Sequence, residues 1–411
     1  MQNPHARLEA DARLLPLSGG AFWTVVILGG ALTMAFTMAV LGTSFILTSE
    51  TGTRALSMDF RVFWAAGRLA LEGEALATFD LERLAAVHNV DPQDYMPWLY
   101  PPGYLVLIMP FGAMSFSVAF LVTTLVSIIA IAAAARPFVG GVLPVWLAMT
   151  LAPAYLPALF LGQNSVIWLA GLLAALAALR AERWILAGIF IGLLTLKPQL
   201  GLLIPVALVA AGLWRTIFAA TGTAILLAVL PTLAFGVDYW PLLAAGLAEH
   251  SERLLFSIST LFLSVGPFYL FTFIGIAPGL ALGLQWVVTG FAAVSVFVFW
   301  RSDRIGFDAK AALLLVAILL SAPYLWYYEA AMLAATGLFL MRSGILTCRP
   351  PDLVLLLLLW FGAGLQAMNV FLDVVDPRYL GAVIITPLLV FCLALAWHHL
   401  LSARRAPRTI A

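Results

Sequence analysis

The residues of this chain most suited to chemistry are a carboxylate, Asp59, and a lysine, Lys197. Asp59 lies at the start of a predicted amphipathic helix. A carboxylate at this position can act as a general base or serve only as a helix cap. Lys197, one of two lysines, lies between apolar stretches, so it needs a partner or must snorkel to the interface. A lysine so placed is a candidate point charge for a phosphate. Arg61 and Arg68 are further phosphate candidates.

Amides and aromatic residues recur in the loops predicted to share a side with Asp59 and Lys197. Such a mixture suits a sugar, which presents both hydroxyl groups and C–H faces. The alternatives are that the amides cap a helix and that the aromatic residues form a belt at the membrane interface. Glu329 directly follows Tyr328 at the start of a predicted span, and a carboxylate there needs a partner. The candidate sugar- or acceptor-binding residues are Trp98, Tyr100, Gln163, Asn164, Trp326 and Tyr328.

No pattern in the sequence points to a metal or a cofactor. His88 and His250 are isolated, and there is no Asp-x-Asp pair of the kind that holds a nucleotide-bound metal. The net charge of +1 gives no indication of a nucleic-acid partner. We therefore expect a site without a metal or a cofactor, built from protein side chains alone.

The elements that hold these residues must be membrane helices. The chain is 63% hydrophobic and only 10% charged, whereas a soluble domain averages about 25% charged residues. Residues 22–47 and 137–179 carry no charge. A helix of roughly 20 apolar residues crosses the hydrocarbon layer, and helices satisfy every backbone group in lipid. The sequence predicts an all-α polytopic protein, with residues 1–411 forming one integral membrane domain.

The hydropathy pattern predicts about 12 crossings. We expect residues 102–135 to be broken near Pro110 and Gly112, giving a half-helix and then a span. Residues 258–275 are predicted to be re-entrant or interfacial, and the larger outer loops are 48–99 and 236–257. The predicted spans are 22–47, 102–135, 138–160, 164–179, 184–196, 199–214, 216–235, 279–300, 308–322, 326–341, 352–371 and 379–401.

Charge placement gives an orientation for this layout. It puts 14 of the 21 basic residues on one side and 14 of the 20 acidic residues on the other. Because short cytoplasmic loops are enriched in Lys and Arg, the basic side and both termini are predicted to be cytoplasmic. The expected location is the bacterial inner membrane, with Asp59 and Lys197 facing outward.

The candidate segments also resemble a known family. In their order and spacing they are similar to the polyprenol-phosphate-mannose-dependent mannosyltransferases, glycosyltransferase family 87. Two departures lie in the last segment, where Ala322 separates Ser321 from Pro323 and tyrosines follow the tryptophan. The matching pieces are Asp59-Phe60, Phe63-Trp64, Gly73, Phe79-Asp80, Tyr100-Pro101-Pro102, Pro110, Gly162-Gln163-Asn164, Trp184, Ala187-Gly188, Lys197-Pro198, and Ser321, Pro323, Trp326 and Tyr328.

The resemblance implies a GT-C membrane fold that uses a polyprenyl-phosphate sugar donor on the extracytoplasmic face. It implies that Asp59 is the catalytic base of an inverting transfer to a glycan or glycolipid acceptor. The sugar would be a mannose-like hexose or a pentose, and Lys197 would stabilise the leaving phosphate. Membrane lipids would surround the chain and its donor.

Two other classes of protein remain open from the sequence. A transporter or flippase of a lipid-linked sugar would place ionisable residues or broken helices near the middle of the membrane, whereas the charges here gather at one edge. The other class is a non-catalytic membrane subunit, which a loss of transferase activity on changing Asp59 alone would exclude.

Overall fold

In the computed structural model the chain is helical throughout its described part, with one isolated antiparallel bridge between Ser264 and Trp326. Within that part, five helices are long and apolar enough to cross a membrane. The described residues are 28–31, 35, 58–92, 95–139, 143–256, 264–347, 349–372 and 375–405.

The helices are numbered here in chain order, with short 3-10 turns between some of them. The candidate membrane spans are α4, α11, α14, α17 and α18. The helix bounds are α1 Met58–Leu71, α2 Leu81–Ala86, α3 Pro102–Gly112, α4 Phe116–Val139, α5 Leu143–Thr150, α6 Leu156–Leu161, α7 Ser165–Arg180, α8 Trp184–Leu193, α9 Pro198–Gly201, α10 Ile204–Ala210, α11 Trp214–Phe235, α12 Tyr239–Phe256, α13 Pro267–Phe273, α14 Pro278–Arg301, α15 Phe307–Ser321, α16 Met332–Arg342, α17 Pro350–Leu372 and α18 Ala382–Arg405.

The centre of the bundle is formed by α15 and α16, which are apolar on every side. All residues of α15 from Ala311 to Ser321 are buried, and most of α16 is buried as well. A helix that is hydrophobic all round belongs in a core. The outer helix α11, in contrast, has few buried residues and presents Leu226, Val229 and Leu233 outward, as expected of a face covered by lipid.

Helix α1 carries Asp59 and is held tightly against α3. A Cβ added to Gly67 would lie 2.8 Å from the carbonyl oxygen of Ile108, and one added to Gly112 would lie 2.5 Å from the backbone nitrogen of Arg68. The two backbones therefore approach as closely as they do only because both contact positions lack a side chain. The helix predicted from the amphipathic pattern at Asp59 is confirmed, and its apolar face is covered by protein.

The structure can be compared with the predicted layout at two irregular stretches, 102–135 and 258–275. The break within 102–135 is confirmed, since α3 ends at Gly112 and α4 begins at Phe116, with Pro110 inside α3. In the described part of 258–275, helix α13 has only seven residues and is about 10 Å long, too short to cross. The first predicted span, 22–47, lies almost wholly outside the described residues.

One end of the bundle brings together charged residues that the charge pattern assigns to the same side. At one end of the bundle, Asp308 lies 3.1 Å from Arg342 Nη2 and 3.8 Å from Arg180 Nη1, and Arg342 also donates to the Phe138 carbonyl. All four residues belong to the predicted cytoplasmic side. The segments predicted to face outward meet at the other end, which is called the Asp59 end below.

Candidate active site

A cavity of about 730 Å³ opens at the Asp59 end. Its walls come from the start of α1, from residues 96–101, from Gln163, from residues 195–199 and from residues 322–329. Helices α11 and α12 close one side with mainly apolar side chains. Segments far apart in the sequence thus supply one pocket with a polar and an apolar part.

Asp59 lies at the polar end of this cavity and is 6% exposed. Its Oδ2 accepts a hydrogen bond of 2.8 Å from Nε2 of Gln163. The Oε1 of the same amide lies 3.4 Å from both the Tyr100 hydroxyl and Lys197 Nζ, which donate to it. One glutamine side chain therefore joins the carboxylate, the phenol and the lysine, and it fixes the orientation of the carboxylate.

Lys197 is one of the most buried charged residues and is paired with Glu329. The Lys197 Nζ to Glu329 Oε1 distance is 2.8 Å, and both side chains are 2% exposed. Nζ also donates to Asn164 Oδ1 at 3.1 Å and Ser165 Oγ at 3.2 Å. A buried ammonium needs such partners, because an unpaired charge in a low-dielectric interior is costly.

Two local backbone features place the lysine and its partner. Lys197 sits in a break between the 3-10 turn Leu194–Leu196 and helix α9, which begins with Pro198. Glu329 lies in the 3-10 turn Tyr327–Ala331, where its second oxygen accepts a 2.6 Å hydrogen bond from the Trp326 backbone N–H. Both charged groups are therefore held by breaks in helical structure rather than by helix interiors.

The Gly162-Gln163-Asn164 turn brings the amides to the charged residues. Gly162 has φ +69°, a left-handed conformation that glycine adopts at little cost. A Cβ at this position would lie 2.5 Å from Phe60 Cβ, so glycine also permits the turn to contact α1 next to Asp59. Asn164 occupies the N-cap position of α7 without a side-chain capping bond, and its oxygen contacts Lys197 instead.

The electrostatics of the cavity favour a carboxylate poised for proton transfer. Burial raises the pKa of Asp59 to about 6, against the lowering effects of the Gln163 hydrogen bond and the Lys197 charge, and Glu329 raises it further. A general base works best when its pKa lies near the working pH. Asp59 would be mostly ionised at neutral pH and yet basic enough to accept a proton.

Several of the predicted sugar-binding residues line this cavity. Tyr100, Gln163, Trp326 and Tyr328 are on its wall, and the ring of Tyr328 lies 4.9 Å from Lys197 Nζ in a cation–π contact. Asn164 contacts Lys197 from the other side and lines a separate groove.

Three predicted residues do not reach the cavity. Arg61 and Arg68 are two and nine residues beyond Asp59, which turns them roughly 200° and 180° around the helix. Arg68 instead pairs with Glu72 at 3.2 Å and is half exposed. Trp98 is buried behind the wall, and its Nε1 donates to the Tyr239 hydroxyl at 2.7 Å. The structure does not place these three residues on the cavity wall, and a role for them in substrate binding stays a prediction.

The structure adds residues that the sequence-based candidates lacked. The sequence indicates Glu329 only as an acid in need of a partner, and in the structure its partner is Lys197. Helix α12 provides a continuous wall, because its lining residues recur every three to four positions and so share one face. Because Glu329 is a carboxylate next to an apolar run, the sequence could have marked it as a candidate site residue. Nothing in the sequence shows where α12 packs. The lining residues of α12 are Trp240, Leu243, Ala244, Leu247, His250 and Ser251.

The arrangement can bind an anion beside a carboxylate base. Among the described residues, no group of three or more His, Cys, Asp or Glu side chains could hold a metal ion.

The family model of glycosyltransferase family 87 matches residues 98–324, more than half of the chain. The chain belongs to this family. Family 87 is of the GT-C type, so the protein is a multi-pass membrane glycosyltransferase. The matched region contains Tyr100, Gln163 and Lys197, while Asp59 precedes it and Glu329 follows it. Searches among curated proteins and among solved structures found no match.

Proposed function

We propose that this family 87 enzyme transfers a sugar, a mannose-like hexose or a pentose, from a polyprenyl-phosphate donor to a hydroxyl group of a glycan or glycolipid. The observation that carries the proposal is the pairing of Asp59 and Lys197 through one amide at the polar end of the cavity. A base and a cation are the two groups that this reaction requires. The predicted orientation would place the reaction on the extracytoplasmic face of the inner membrane, with both termini cytoplasmic.

Asp59 is the proposed general base. Its carboxylate would take the proton of the acceptor hydroxyl as that oxygen attacks the anomeric carbon of the donor sugar. The bond from that carbon to the phosphate oxygen would break, and the configuration would invert because attack and departure occur on opposite faces. The products are the glycosylated acceptor and polyprenyl phosphate, and Asp59 would return its proton to solvent.

Lys197 is the proposed stabiliser of the leaving phosphate. The leaving group is a phosphate monoester, which needs no protonation but gains negative charge as the bond breaks. A preorganised cation in a site shielded from water stabilises such charge strongly. An ammonium has three N–H donors, and four side-chain oxygens surround Lys197 Nζ. The phosphate would replace neutral oxygens while Glu329 keeps the buried lysine charged.

The remaining wall fits the sugar and the acceptor. Tyr100, Trp326 and Tyr328 offer aromatic faces, and Gln163 offers a polar amide. Helices α11 and α12 line the apolar part of the cavity, and we propose that the acceptor lies against them.

The test of this proposal is the Asp59→Asn variant. Asparagine keeps an oxygen that can accept the Gln163 hydrogen bond, so the fold should persist while the base is lost. We expect transfer to fall about 100- to 10,000-fold, the usual contribution of general-base catalysis. The assay uses membranes with the full-length protein and labelled polyprenyl-phosphate mannose or pentose, and it measures release of polyprenyl phosphate.

The matched control is Asp238→Asn, which changes an exposed acid beside α12 and should leave transfer unchanged. Full activity of Asp59→Asn would refute the assignment of the base. Movement of the intact donor across vesicles without release of polyprenyl phosphate would support a flippase instead.

A further inference from the structure

Helix α14, a candidate membrane span, carries two buried polar side chains, Gln285 and Thr289. Gln285 is 0% exposed and Thr289 is 7% exposed. Residues four apart lie on the same face of a helix, and Gln285 Nε2 donates to Thr289 Oγ1 at 3.2 Å. Polar groups buried at membrane depth are costly and often serve a function. Neither residue lines the active-site cavity, so any such function must be indirect.

Both side chains bond to the backbone where α15 ends. Gln285 Nε2 donates to the Leu320 carbonyl at 2.9 Å. Thr289 Oγ1 lies 2.6 Å from the Ser321 carbonyl, closer than the 3.0 Å that separates it from the Gln285 carbonyl of its own helix. The last carbonyls of a helix have no partner within it, and Pro323 has no N–H with which α15 could continue. The α14 side chains therefore supply donors that α15 itself lacks.

Gln285 also holds the chain on the other flank of this helix end. Its Oε1 accepts a 2.9 Å hydrogen bond from the Phe268 backbone N–H at the start of α13. Just before α13, the Val265 N–H donates to the Leu325 carbonyl at 2.8 Å. One buried amide thus fixes both the end of α15 and the start of α13, and the segment 322–326 lies between these two attachments.

The segment 322–326 is part of the active-site wall. Pro323 and Trp326 line the cavity. The Trp326 backbone N–H donates to Glu329, whose other oxygen pairs with Lys197 at 2.8 Å. A displacement of the α15 end would therefore reach the buried ion pair through a short run of backbone and one hydrogen bond.

We propose that Gln285 and Thr289 are positioning residues of the active site. They hold the segment 322–326 from within the membrane span and, through it, fix the place of Glu329 against Lys197. The proposal rests on the proposed function, because the position of this ion pair matters to transfer only if Lys197 holds the donor phosphate. A merely structural role would change the amount of folded enzyme and leave the properties of each folded molecule intact.

The first experiment compares Thr289→Val with Thr289→Ser. Valine shares the β-branched shape of threonine but cannot donate to the Ser321 carbonyl, whereas serine keeps the hydroxyl. Steady-state transfer is measured in membranes that contain the full-length protein and labelled polyprenyl-phosphate mannose or pentose. Thr289→Val should raise the donor KM about fivefold or more, the factor that corresponds to one lost hydrogen bond. Thr289→Ser should restore the wild-type value.

The pH–rate profile distinguishes positioning from a loss of folded protein. Glu329 raises the pKa of Asp59, so a Glu329 carboxylate that moves away should shift the acid limb of Thr289→Val to lower pH. Adding Thr289→Val to Glu329→Gln should then cause no further shift, because residues that act through one another are not additive. Additive shifts would refute the route through Glu329.

The matched control is Thr336→Val on α16. Thr336 is also 0% exposed, but its hydroxyl donates to the Met332 carbonyl within its own helix, so this variant should keep the wild-type donor KM and pH profile. Thr289→Ala removes the same hydroxyl if the valine variant fails to fold.

Two results would overturn the proposal. One is a wild-type donor KM and acid limb in a folded Thr289 variant that lacks the hydroxyl. The other is a rate that falls by the same factor at every donor concentration and every pH, as expected when only the amount of folded enzyme changes. A wild type that releases no polyprenyl phosphate from either donor would overturn the proposed function, and this proposal with it.

Discussion

The buried pair between Lys197 and Glu329 allows a stability prediction that is independent of any substrate. Exposed ion pairs contribute about 0–1 kcal/mol, whereas removing one partner of a buried pair typically costs about 3–5 kcal/mol. Both side chains here are 2% exposed and their charged atoms are 2.8 Å apart. We therefore expect Lys197→Met to destabilise the protein by about 3–5 kcal/mol.

The two single variants should differ because the partners left behind differ. Without Lys197, the Glu329 carboxylate keeps the Trp326 backbone N–H as its described hydrogen-bond donor. With Glu329→Gln, Lys197 keeps oxygens from Gln163, Asn164 and Ser165, and the new amide can still accept a bond from it. This second variant should cost only about 1–3 kcal/mol.

The double variant Lys197→Met with Glu329→Gln removes both charges and should cost less than Lys197→Met alone, since replacing a whole buried pair is often close to neutral. Equilibrium unfolding in mixed micelles, followed by tryptophan fluorescence, measures the free energy of unfolding of the wild type, the two single variants and the double variant. The control is Lys310→Met, which changes the other lysine, a half-buried residue bonded to the Trp300 carbonyl, and should cost about 1 kcal/mol.

Two outcomes would refute this reasoning. One is a cost below about 1 kcal/mol for Lys197→Met, as for an exposed pair. The other is a double variant whose cost equals the sum of the single costs. The double variant also gives a clean test of donor binding, because it should fold and yet lack the cation proposed to hold the phosphate.

Two further predictions concern Asp59 and the turn beside it. Because the base must be ionised and burial raises the pKa of Asp59 to about 6, transfer should fall as the pH drops below about 6. Glu329→Gln removes a charge that raises this pKa, so the acid limb of the pH–rate profile should move to lower pH; an upward shift would contradict the assignment. Gly162→Ala should destabilise the protein by at least about 1–2 kcal/mol, the cost of left-handed backbone, and should also reduce transfer, because the added Cβ meets Phe60. Gly212→Ala has nearly the same φ, +67°, but open space around it, so equal losses of stability and transfer in the two variants would show that the Phe60 contact is unimportant.

Much of the architecture could be predicted because membrane helices depend on local composition. Apolar runs too long for a soluble helix predict spans, and Pro110 with Gly112 predicts the break before α4. Arg180, Asp308 and Arg342, which the charge pattern assigns to the same side, meet at one end of the bundle, while the side that faces the cytoplasm stays a prediction. The count of twelve crossings stays a prediction, since short helices such as α8 do not reveal from length alone whether they cross.

The site was only partly predictable because contacts between distant segments are not a local property. Residue type and position were enough to select Asp59, Gln163 and Lys197, since polar groups beside apolar spans are costly and few. The same criterion selected Arg61 and Trp98, but neither lines the cavity. Arg61 lies on the opposite side of α1 from Asp59, and Trp98 is buried behind the cavity wall. Residue type does not reveal either fact.

The sequence by itself therefore determined the class of protein and a short set of polar candidates, because hydrophobic length and charge placement act along the chain. Tertiary structure alone decided which candidates meet. It paired Lys197 with Glu329 across more than a hundred residues, and it placed the Gln163 amide between that lysine and Asp59. The physical reason is that a buried charge must find a partner wherever packing brings one, and packing is set by the whole bundle.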